Sequence, residues 1–192
     1  MKRLNAALEH LNEKNIECGV VLKPENIFYL TGFFPSSQAA LLLSQEPLLL
    51  VSKMDAKLAS EGCTEFKVFE KLDKELKLEY KNVGIEKKYA TFEFYEKYLS
   101  GKKIQDLNFI EEMRKIKDRG EIEKIKKAVK IAGDALAEAA DALEGRTERE
   151  VAAAVEHAIK KRAETAFEAI VASGKNSSVP HHVPRNKKIK PG

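Results

Sequence analysis

Cysteine is scarce in this chain: Cys18 and Cys63 are the two present in 192 residues. They stand far apart, form no C-x-x-C pair and join no cluster with metal-ligand spacing, so the pattern favours two buried thiols over a disulfide framework. Long hydrophobic runs are missing as well. The most apolar stretch, residues 39–51, is broken after five residues by Ser44-Gln45-Glu46-Pro47, too soon to cross a bilayer. The N-terminus, Met1-Lys2-Arg3-Leu4-Asn5, runs into a charged amphipathic pattern and not into the apolar core of a signal peptide. These absences predict a soluble, cytoplasmic protein with no membrane partner. Surplus charge of one sign is also lacking from the body of the chain. Lys and Arg number 34 against 30 Asp and Glu. The excess is Arg185, Lys187, Lys188 and Lys190, in the acid-free tail that begins at His181. The basic isoelectric point of about 8.9 therefore describes a tail. A nucleic-acid module concentrates its basic surplus on one face of the domain, so no nucleic-acid partner is expected.

What is present is ample apolar material, 43% of residues, with 33% charged, enough for a packed core. Leu4, Leu8 and Leu11 recur at helical spacing and predict an amphipathic helix over 2–14. Strands are expected at 16–22, 39–43, 48–51, 66–69, 83–86 and 103–107, where apolar or β-branched runs are bounded by turn residues. A helix starts at Thr91 and stops before Ser100-Gly101. Strands alternating with helices over the first 108 residues predict an α/β domain with a mixed sheet. The character then changes, and a domain boundary is expected within 108–117. Asp118 and Glu121 have the spacing of a capping box, and so do Thr147 and Glu150. Ile122, Ile125, Val129, Ala132, Leu136, Ala139 and Leu143 make one apolar stripe, with Gly145 as its stop, and Val151, Val155 and Ile159 make another. Residues 167–172 read as a further strand, closed by Ser173-Gly174.

Several residues invite chemistry. Gly174-Lys175 with Ser177 suggests a phosphate loop, but the motif needs glycine where Ala169 stands. Asn176-Ser177-Ser178 matches a glycosylation sequon and reads as a polar loop. His10 and His157 sit on amphipathic helices as ordinary surface residues. His181 and His182 differ: they follow Pro180 in a loop, where a rigid scaffold can present reactive groups. Neighbouring side chains of an extended segment point to opposite sides, so one histidine at most faces a given site and the two do not clasp one metal. The carboxylates Glu138, Asp141, Glu144, Glu148, Glu150, Glu156, Glu164 and Glu168 alternate with Lys and Arg and read as solvated helix faces.

The stretch Phe167-Glu-Ala-Ile-Val-Ala-Ser-Gly-Lys-Asn-Ser-Ser-Val-Pro-His-His-Val-Pro, residues 167–184, resembles the catalytic domain of the pita-bread metallopeptidases. Within them it is similar to the proline-specific branch, the Xaa-Pro dipeptidases (prolidases) and Xaa-Pro aminopeptidases of archaea and bacteria. Asn26-Ile-Phe-Tyr-Leu-Thr-Gly-Phe33 resembles the N-x-x-Y-L-T-G-F segment of the creatinase-type N-terminal domain, and Val83-Gly-Ile-Glu86 its late strand. Met113-Arg-Lys-Ile-Lys-Asp-Arg-Gly-Glu-Ile122 and Gly145-Arg-Thr-Glu-Arg-Glu-Val151 are similar to the segments that open the catalytic domain and its second helix.

The resemblance implies a creatinase-like N-terminal α/β domain over 1–112, then the opening helices and strand of an α+β pita-bread catalytic domain over 113–192. It implies hydrolysis of the bond before proline in an Xaa-Pro dipeptide or a proline-containing peptide, by a cytoplasmic homodimer. The family holds two divalent metal ions (Mn, Co or Zn) through two Asp, one His and two Glu, the first Asp following the glycine that matches Gly192. No metal ligand is therefore assigned in this chain, and the 192 residues alone are expected to be an inactive N-terminal portion. His181 matches the family's active-site histidine, which contacts the substrate and helps stabilise the tetrahedral intermediate. His182 is the second substrate-side candidate. Two other readings stay open: a non-catalytic peptide- or protein-binding relative, and a creatinase-type amidinohydrolase that uses no metal.

Overall fold

The computed structural model describes residues 2–62, 65–140, 143 and 145–190. Cys63, Asp141, Glu144 and Gly192, singled out above, lie outside them. The chain divides into two compact units, Met1–Ile116 and Lys117–Gly192. A boundary at 112/113 would fall inside a helix, Phe109–Lys115, that completes the first unit.

The first unit runs α1 (Lys2–Glu13), β1 (Cys18–Val21), α2 (Pro24–Thr31), β2 (Ala39–Leu43), β3 (Leu48–Ser52), α3 (Ala56–Gly62), β4 (Phe66–Phe69), α4 (Leu72–Glu75), β5 (Asn82–Ile85), α5 (Phe92–Tyr98), β6 (Lys103–Asp106) and α6 (Phe109–Lys115). The strands form one mixed sheet in the order β4-β3-β2-β1-β5-β6. β2 is antiparallel to β1 and to β3, and the remaining neighbours are parallel. Side chains alternate across a strand, and both faces here are covered. Val21, Leu41, Leu43, Leu49 and Val51 face Ala7 and Leu11 of α1, Ile27 and Leu30 of α2, Ala59 of α3 and Phe109 and Ile110 of α6. On the other face Ala40 and Leu50 meet Phe69, Leu72 and Leu76, while Val20, Val83 and Ile85 meet Leu99. Cys18 is buried in β1, and burial pushes its thiol up to about 12.

Two glycines make the middle of the sheet. Gly19 of β1 lies opposite Gly84 of β5. A Cβ built on Gly84 would stand 2.4 Å from Leu107 Cδ2, so the missing side chains are the space that fully buried Leu107 fills.

The second unit holds α7 (Arg119–Ala140), α8 (Glu148–Lys160) and a 3-10 turn at Gly174–Ser178. Both expected capping boxes are present. Asp118 N–H donates to Glu121 Oε2 at 3.0 Å, and Glu121 N–H to Asp118 Oδ1 at 2.9 Å. Thr147 and Glu150 make the same reciprocal pair at α8. α7 packs on α8, burying Ala135 and Ala139 on one side and Val151, Ala152, Val155 and Ala158 on the other. At 1.5 Å per residue the 22-residue α7 spans about 33 Å and the 13-residue α8 about 20 Å. α7 outruns its partner, and Ile122, Ile125, Val129 and Leu136 of the apolar stripe are exposed.

The segment 167–172, expected as a strand, is irregular. A strand needs a ladder partner, and none pairs with it among the described residues. Its anchor is instead Ala169 N–H, donating to Glu156 Oε1 at 3.0 Å. No helix among the described residues is long and apolar enough to cross a membrane.

Candidate functional site

The histidine loop is built outward from the start of α8. Thr147 caps the helix, and each N–H of its first turn is satisfied. Glu148 N–H donates to Lys187 O at 3.0 Å, Arg149 N–H to Arg185 O at 3.1 Å, and Glu150 N–H to Thr147 Oγ1 at 3.2 Å. This helix end therefore offers no open donors. It grips the segment 185–187 by its backbone.

Glu148, the first residue of α8, is fully buried. Its sequence surroundings read as a solvated face, and the structure corrects that reading. Glu148 Oε1 accepts hydrogen bonds from Ser173 N–H at 2.8 Å, Ser173 Oγ at 2.8 Å and Asn176 Nδ2 at 2.9 Å. Oε2 accepts from His182 Nε2 at 2.8 Å and Arg185 N–H at 3.2 Å. Burial works against the charge, but the donors from His182, Asn176 and Ser173 outweigh it and hold the carboxyl far below the usual carboxylate range. The signal that marks Glu148 in the sequence is its place directly after an N-cap; the solvated-face pattern concealed it.

The adjacent histidines separate as the extended segment requires. His182 is 7% exposed and its ring is turned onto Glu148. His181 is exposed, and its ring makes no hydrogen bond among the described residues. Lys187 Nζ reaches back to Ser173 O, beside Gly174 at φ +51°. The result is a loop fixed at Ser173, Asn176, His182 and Arg185, with His181 presented to solvent.

The first unit has a second polar knot, at the ends of the parallel strands β1, β5 and β6. Glu86, buried just past β5, accepts from Leu22 N–H at 2.7 Å, from Lys23 N–H at 2.8 Å and from the Asn26 side chain. Lys23 gives α2 no side-chain cap; Glu86 instead ties down the two residues that lead into the helix and the Asn26 side chain in its first turn. Asn26 Oδ1 in turn accepts from Arg114 at 2.8 Å. Burial raises the Glu86 carboxyl above its ordinary range, and the bonds from Asn26, Lys23 and Leu22 offset only part of that. A cavity of about 80 Å³ adjoins this knot, but its buried groups already have partners.

Among the described residues no three His, Cys, Asp or Glu side chains converge into a set that could hold a metal ion. The described donors do not by themselves make up the ligand set of a metal pair.

The Creatinase/Prolidase N-terminal domain family matches residues 3–116, and metallopeptidase family M24 matches residues 123–192. An uncharacterised peptidase of Methanocaldococcus jannaschii is 34% identical over 97% of this chain and 54% of its own. The Xaa-Pro dipeptidase of Pyrococcus furiosus is 32% identical over 100% of this chain and 58% of its own. The crystal structure of the prolidase from Pyrococcus horikoshii superposes with a TM-score of 0.89 at 30% identity, covering 99% of this chain and 58% of that one. The chain thus spans a little over half the length of the relatives it matches.

Proposed function

Because the chain belongs to the creatinase/prolidase family, with that family's N-terminal domain followed by the start of a metallopeptidase M24 domain, we propose that the protein serves hydrolysis of the peptide bond before proline. A Pyrococcus Xaa-Pro dipeptidase is among its relatives, and a dipeptidase is the activity we take forward for testing, with an Xaa-Pro aminopeptidase as its alternative. The observation that carries the reading at residue level is the split of the histidine pair. His181 stands free on a loop that is otherwise fastened, where an imidazole N–H can donate to the oxygen that becomes negative as the scissile carbonyl turns tetrahedral. His182 is engaged with Glu148 and serves the loop.

The test is an assay of the protein expressed from its intact gene and supplied with Mn²⁺, Co²⁺ or Zn²⁺. Xaa-Pro dipeptides are expected to be cleaved at least about ten times faster than Xaa-Ala or Xaa-Pro-Xaa, since losing or adding a matched group costs roughly 1–3 kcal/mol of discrimination. Preference for the tripeptide would make it an aminopeptidase, and no cleavage of either class would overturn the reading. His181→Ala is expected to lower kcat by a factor on the order of 10²–10³, as loss of an oxyanion donor does, with bound metal unchanged. Metal lost together with activity would show that His181 has another role.

A further inference from the structure

We propose that Glu148 is the positioning residue for His181: its buried carboxylate fixes the loop 173–187 so that His181 meets the reacting carbonyl. The inference rests on the reading of His181 given above. Glu148 does not touch solvent, so it acts only through what it holds. It holds the loop at four separate points, through Ser173, Asn176, His182 and Arg185. These bracket His181 on both sides, and the His182 ring is the immediate neighbour. Both oxygens are filled with donors, three on one and two on the other. Charge-assisted hydrogen bonds of this kind are about twice as strong as neutral ones, and a group misplaced by about 1 Å can cost a hundredfold in rate.

Glu148→Gln keeps the shape but turns one acceptor oxygen into an amide that faces donors. In the intact-gene protein it is expected to lower kcat about tenfold or more, with KM for an Xaa-Pro dipeptide changed less than about threefold, because the interaction lost is made in the transition state. The decisive readout is the double variant. If Glu148 works through His181, then Glu148→Gln added to His181→Ala costs almost nothing further, since residues that act as a unit are strongly non-additive. A carboxylate that serves the fold alone would multiply its full kcat loss onto His181→Ala; that result overturns the proposal and leaves the function reading intact. A normal kcat in His181→Ala would instead overturn the role given to His181, on which the proposal rests. Should Glu148→Gln fail to fold, Asn176→Ala, which removes a single donor, carries the same cycle at smaller amplitude. His182→Gln keeps one N–H for Glu148 and is expected to recover most of the kcat lost in His182→Ala. Equal losses in the two His182 variants would also count against the proposal.

Discussion

Glu86 and Glu148 are the same side chain, both buried, and their acidities move in opposite directions. The difference lies in the count and kind of donors. Glu86 receives two backbone N–H groups and one amide, and desolvation wins. Glu148 receives five bonds, one from an imidazole, and the donors win. The pH consequences follow from the signs. The stability from Glu148 is present above the ordinary glutamate range of about 4.3 and is lost as pH falls through its lowered value. That from Glu86 is complete below this range and is lost as pH rises through its raised value. The melting temperature of wild type should therefore exceed that of Glu148→Gln at pH 7, and the gap should narrow steadily as pH is taken towards 3. A gap that stays constant would mean that the carboxylate charge is not what the loop needs. The opposite orientation of His181 and His182 was legible in the sequence, because it follows from local backbone geometry. Which of the two turns inward was not, because the answer sits 34 residues away at Glu148.

Among the elements, those that declare themselves by their own periodicity were read correctly: α1, the six strands of the sheet, α5 and the two capped helices of the second unit. Those that depend on a distant partner were not. α2 spans only two turns, and its marks are Pro24 at the first position and Gly32 at φ +81° at its end. The residues that lead into it are held by Glu86, 60 or more residues on. Residues 167–172 have strand composition, but a ladder takes two. The β1–β5 pair shows the cost of a local change most directly. Gly84→Ala would drive a methyl against Leu107 and Ile16, both in the packed core. Overpacking of this kind costs about 1–3 kcal/mol, and chemical denaturation should show a midpoint lowered accordingly with an unchanged slope. Gly62→Ala, with nothing within 4 Å of the added methyl, is the control expected to show no such loss. Equal effects at both sites would mean that Leu107 yields freely.

For the whole chain, the division at 116/117 sets where it opens first. Ile116 is 82% exposed, between Lys115 and Lys117. Exposed connections with few crossing contacts are the preferred sites of nicking. Brief trypsin treatment should release a resistant product of about 116 residues ending at this connection, read by mass spectrometry. A resistant product ending near residue 60 would contradict the division. The sheet itself imposes an order of events during synthesis. β1 can pair with β2 soon after that strand emerges, but its other neighbour is β5, with Cys18 opposite Val83. At about 5–20 residues per second the ribosome needs roughly 3–13 seconds to supply that strand. Through this interval Cys18-Gly-Val-Val21 is an open apolar edge, the kind that recruits foreign strands, and its thiol is nearer the ordinary reactivity of free cysteine. The arrival of Asn82–Ile85 covers this edge of β1 and buries its thiol, so for Cys18–Val21 the exposure to mispairing and to oxidation ends at one and the same moment of translation.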